Sequence, residues 1–170
     1  MEIRNFSFKG YQNYEPIQES LDELLKDIFG KENLPFLIAI NEAVLNAAKY
    51  SVYGLREADI HISVRILTDE VRVTVASETH PFDAVKYRER LQSLLVDEVT
   101  AALDWGDYIG DSDAGRGFWY ILTAVDYLYI DEKGQEITLV ARIPMTVLPE
   151  VKRLDYLIPK FYVRQNGVIS

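Results

Sequence analysis

The chain has 170 residues, of which 48% are hydrophobic and 26% charged, and its 27 acidic and 18 basic side chains leave a net charge of −9. That length suits one domain with its own core, the composition excludes a disordered chain, and the acidic excess argues against a nucleic-acid-backbone binder while leaving room for a local site for a small anion. With no cysteine and only His61 and His80, disulfides, thiolate metal centres, a cysteine nucleophile and a histidine-built zinc site are all excluded.

In chain order, the opening MEIRNFSFKG is charged and alternating, unlike a signal peptide. Ile3, Phe6 and Phe8 predict a strand over 3–8. Pro16 opens a helix with Ile17, Leu21, Leu24, Leu25 and Ile28 on one stripe, and Gly30 ends it. Pro35 starts a second helix that runs to about Tyr50 or Tyr53 and ends at Gly54. Ile60, Ile62, Val64 and Ile66 alternate with polar residues, as do Val71, Val73 and Val75, and the short link Leu67–Glu70 makes the two runs a hairpin. Beyond Pro81, Val85, Leu91, Leu94 and Leu95 predict a further helix. Residues 104–117, DWGDYIGDSDAGRG, read as loop. So long an irregular stretch inside a domain is usually functional. Phe118–Val125 reads as a short helix, and Tyr127–Ile130 with Ile137–Ile143 as a second hairpin.

About five strands in hairpins, with three or four helices between them, predict an α/β two-layer sandwich: a mixed, mostly antiparallel sheet with helices on one face. No apolar run reaches the length of about 18 residues that a membrane helix needs. The lack of cysteine fits a reducing compartment, so a cytoplasmic location is expected.

Two segments carry candidate chemistry. On the second helix, at about 100° per residue, Glu42, Asn46 and Lys49 share one narrow face, while Leu37, Ile40, Val44 and Ala48 occupy the opposite arc. Most polar stripes of this kind are solvated helix faces. The functional alternative is a site in which the carboxylate takes a proton from a hydroxyl, the amide oxygen holds Mg²⁺ and the ammonium meets phosphate charge. In the second segment, GRGFWYILTAVD, Gly115 and Gly117 stand at the mouth of a helix, where unpaired N–H groups favour anions. A loop-to-helix turn without a ligand has the same signature.

The order of the motifs is more specific than either alone. E-A-V-L-N-A-A-K-Y, a hairpin, a long loop, G-R-G-F-W-Y-I and a second hairpin resemble the histidine kinase-like ATPase (GHKL, Bergerat-type) fold, most closely the bacterial anti-sigma-factor serine kinases. The match spans about residues 3–143 and rests on Glu42, Asn46, Tyr50, Gly115, Arg116 and Gly117. The resemblance implies an ATP- and Mg²⁺-dependent protein serine kinase in a partner-switching pathway. It makes Glu42 the base, Asn46 the Mg²⁺ ligand, and Gly115, Arg116 and Gly117 the phosphate cradle. Lys49 lies on the same face for phosphate charge, Thr138 stands where the family has a hydroxyl near the nucleotide, and residues 104–114 stand as a mobile lid.

One motif departs from the family. Its Asp-x-Gly-x-Gly segment, in which the aspartate reads adenine, precedes Phe-Asp; aligned on Phe82-Asp83, this chain has Ser77, Thr79 and Pro81 at the three fixed positions. A serine hydroxyl there accepts a hydrogen bond without charge to strengthen it. The alternative function is therefore a degenerate, nucleotide-independent protein-binding module of the same fold. The resemblance implies a sigma factor or its antagonist as partners, with no direct nucleic acid and no membrane. Residues 1–143 read as the ATP-binding domain and 144–170 as an extension. This tail is basic and rich in Leu and Tyr. It either folds back on the domain as a helix and strand or forms a contact with a partner or a second copy.

Overall fold

A computed structural model describes every residue except 113 and 114. Seven strands form one sheet among the described residues: β1 (Glu2–Lys9), β2 (Asp59–Ile66), β3 (Glu70–Ser77), β4 (Tyr127–Asp131), β5 (Glu136–Arg142), β6 (Phe161–Gln165) and β7 (Val168–Ile169). The spatial order is β1-β2-β3-β5-β4-β6-β7, and only the β4/β6 pair is parallel. The mixed, mostly antiparallel α/β sheet is therefore as expected, with two strands more than the five predicted.

The alternation in sequence becomes two distinct faces. Val71, Val73, Val75 and Ser77 of β3 are buried on the helix side, opposite Ile137, Leu139 and Ala141 of β5. The residues between them, Arg72, Thr74 and Ala76, point the other way, beside Val140, Thr138 and Glu136.

Against the apolar face lie α1 (Glu15–Phe29) and α2 (Leu34–Lys49), each with proline in its first turn, where the missing N–H is not needed. α1 buries Leu21 and Leu25. α2 buries Phe36, Leu37, Ala39, Ile40, Ala43, Val44 and Ala48, which makes it the central helix of the layer. Full burial of each large aliphatic side chain stabilises the fold by about 1.5–3 kcal/mol. α3 (Ala84–Ser93) follows, capped by Asp83, whose carboxylate accepts from the Lys86 amide.

Two expectations need correction. The stretch 104–117 is not all loop: α4 (Glu98–Ala101) precedes it and α5 (Trp105–Ile109) lies within it. Their acidic neighbours are caps, since Asp97 accepts from the Thr100 amide and Asp104 from the Gly106 amide. The following helix, α6 (Arg116–Thr123), begins two residues earlier than Phe118 and so takes Arg116 and Gly117 into its first turn.

The tail, 144–170, contributes α7 (Leu154–Leu157), a short 3-10 turn, β6 and β7. Leu154, Leu157, Ile158, Phe161 and Val163 are buried in the same core as the rest of the chain. Lys160, only 9% exposed, sends its ammonium to the Leu122 and Val125 carbonyls, each 3.0 Å away, at the open C-terminal end of α6. Among the described residues no helix is long and apolar enough to cross a membrane.

Candidate functional site

The polar stripe of α2 faces the start of α6, and the two helices pack against each other. Gly117 is the point of contact: a Cβ placed on it would lie 2.7 Å from Glu42 Oε2 and 3.6 Å from Asn46 Nδ2. The carboxylate and the carboxamide therefore sit against the first turn of α6, where amides lack helical partners and the helix dipole is positive. Gly115, the N-cap, has φ +83° in the left-handed region, which glycine adopts without steric cost. Both glycines have a structural reason: one turns the chain into the helix, and the other lets the helix approach Glu42.

Tyr120 joins this group, although the sequence reading passed over it. Burial raises its phenol pKa, and the nearby Glu42 carboxylate raises it further. The signal was present in the sequence, because Gly117 and Tyr120 are three residues apart and share a helix face. Lys49 and Tyr50 are exposed at the end of α2, and the Lys49 ammonium lies 5.5 Å from the centre of the Tyr50 ring. Arg116 turns back along the preceding segment, donating to the Ser112 and Gly110 carbonyls.

Ser77 lies at the end of β3, 7% exposed on the helix side of the sheet, and its hydroxyl has no hydrogen-bond partner among the described residues. Thr138 is also buried but belongs to the opposite face, where it pairs with Thr74 Oγ1 at 2.9 Å. It does not meet the α2–α6 group, because its register opposite Thr74 places it out of phase with Ile137 and Leu139.

The segment after Ser77 is fastened on both sides. On one, Thr79 bridges Ser51, the Val52 amide donates to the Glu78 carbonyl, and the His80 amide donates to the Tyr50 carbonyl. On the other, Thr79 Oγ1 donates to the Gly134 carbonyl, Gln135 Nε2 to the Thr79 carbonyl and the Phe82 amide to the Lys133 carbonyl. Residues 103–105, which lead into the expected lid of 104–114, are held by the tail: the Trp105 amide donates to the Lys152 carbonyl and the Leu154 amide to the Leu103 carbonyl. Residues 113 and 114 of that lid lie outside the described residues.

ATP and Mg²⁺ can be tested against these groups. The phosphate end fits: glycine-flanked amides in the first turn of α6, with one carboxylate and one carboxamide beside them, suit a polyphosphate and a hard cation that needs few protein oxygens. The base end fits in one respect, the unsatisfied Ser77 hydroxyl, and fails in another, since Thr79 and Pro81 stand in a fastened strand exit where the family has glycines. No protein-family model matches the chain and no curated protein matches it.

Proposed function

We propose that this chain is an ATP-binding regulatory protein of the histidine kinase-like fold, similar to the bacterial anti-sigma-factor serine kinases, which phosphorylates a serine of a partner protein with Mg²⁺. The observation that carries the reading is the contact of Glu42 and Asn46 with Gly117. It joins the two motifs on which the resemblance rests, although about seventy residues separate them.

In this reading the nucleotide supplies the transferable phosphoryl group. Glu42 accepts the proton of the attacking serine hydroxyl at its carboxylate. The Asn46 oxygen orients the cation, the amides at Gly115 and Gly117 hold phosphate oxygens, and Lys49 at the rim adds positive charge. The Ser77 hydroxyl meets the base. The partners are a sigma factor or its antagonist, the setting is a bacterial cytoplasm, and residues 1–143 form the nucleotide-binding domain.

The fastening of residues 78–82 favours a second reading, in which the fold persists as a binding module without nucleotide. Titration calorimetry with ATP and Mg²⁺ separates the two. The kinase reading expects binding that Asn46→Ala weakens at least tenfold. Absence of heat at millimolar nucleotide leaves the binding module as the function.

A further inference from the structure

The second face of the sheet carries an irregularity in its charges. In the register of the seven strands, four directly opposed pairs consist of two charged residues. Three are of opposite sign: Lys9 with Asp59, Glu70 with Arg142 and Asp131 with Arg164. The fourth, Arg65 with Arg72 on β2 and β3, is of like sign. Directly opposed like charges destabilise a sheet, and this pair occurs in a chain whose net charge is −9.

The surroundings neutralise only one of the two. Arg72 Nε is held by Glu70, but the Arg65 guanidinium has no hydrogen bond or ion pair among the described residues. The next residues along the same row are Ile3 on β1 and Val140 on β5, both apolar. The two guanidinium groups border a groove of about 450 Å³, also lined by Ser63, Thr74, Thr138 and Tyr129 and by Glu136, whose carboxylate is paired with Arg164. That volume falls within the range of small-ligand sites, roughly 300–1,000 Å³. Hydroxyl groups beside paired guanidinium groups form a donor-rich lining suited to oxyanions.

We infer that the Arg65–Arg72 pair binds the phosphate or carboxylate group of a small molecule, with the hydroxyls of Ser63, Thr74 and Thr138 along the groove holding its polar remainder. This site lies across the sheet from Glu42 and Asn46 and does not depend on the function proposed for them. The anion cancels the repulsion between the two arginines, so its binding stabilises the sheet.

The test is thermal unfolding of the full chain with pyrophosphate and, separately, citrate, in wild type, Arg65→Gln, Arg65→Lys and Asn46→Ala. At ten times its dissociation constant the bound anion raises the wild-type melting temperature by roughly 3–6 °C. Arg65→Gln removes that shift while melting, without anion, at or above the wild-type temperature. Arg65→Lys keeps part of the shift and Asn46→Ala keeps all of it. A response to pyrophosphate alone identifies phosphate as the ligand group, and a response to citrate alone identifies carboxylate. Equal shifts in wild type and Arg65→Gln overturn the inference. So does a change in molecular mass in solution on Arg65→Gln, which makes this face a contact between copies.

Discussion

Ser77 and Gly117 are the residues at which stability and function separate. A buried hydroxyl without a partner costs stability that its removal returns, so Ser77→Ala should leave the ligand-free protein as stable or more stable, by about 1 kcal/mol. If Ser77 meets the base, the same change weakens ATP binding; chemical denaturation and calorimetry on one variant read both effects. Gly117→Ala separates the same two effects. Its methyl meets the tip of Glu42, a flexible side chain that can swing aside, and alanine favours the helix by about 1 kcal/mol. We expect stability within about 1 kcal/mol of wild type and a loss of nucleotide affinity. A variant that binds ATP as well as wild type would detach Gly117 from the site.

At the scale of elements, Lys160 ties the tail to the far end of the helix whose start forms the site. Burial pulls its ammonium down to about 8, against the opposing pull of Asp126. Between about 8 and the ordinary 10.5 the unfolded chain holds this proton and the folded chain does not, so stability rises with pH across that window and is flat below it. Lys160→Met should cost about 1–3 kcal/mol at neutral pH, because two carbonyls lose their donor. Its deficit against wild type should widen from pH 8 to 10.5, as read by urea unfolding at both ends. A constant deficit would contradict the burial of this amine. The alternation of β2 and β3 and the stripe on α1 were legible in the sequence because one face of each is buried. The helix at 105–109 was hidden, since its caps are the same aspartates and glycines that make a loop. Thr138 was misplaced because recognising a motif does not fix strand phase.

For the whole molecule, the tail is the part that sequence reading left open. Its parallel pairing with β4 joins residues far apart in the chain, and no local pattern announces such a pairing. Removal of 145–170 strips β6 from β4 and uncovers core around Leu128 and Ile130, so the truncated chain should be insoluble or lose cooperative unfolding. A soluble, cooperatively folding product would show that 1–144 stands alone. The site was half legible: spacing put Glu42, Asn46 and Lys49 on one face, but only the packing of α2 on α6 brings Glu42 and Asn46 to Gly117, and it leaves Lys49 exposed at the rim. The measurement that tests the central claim most directly is amide chemical-shift mapping of the full chain with ATP and Mg²⁺. We predict the largest shifts at Gly115, Arg116 and Gly117 with accompanying changes at Glu42 and Asn46. Shifts confined to the opposite sheet face, or none at millimolar nucleotide, would contradict it.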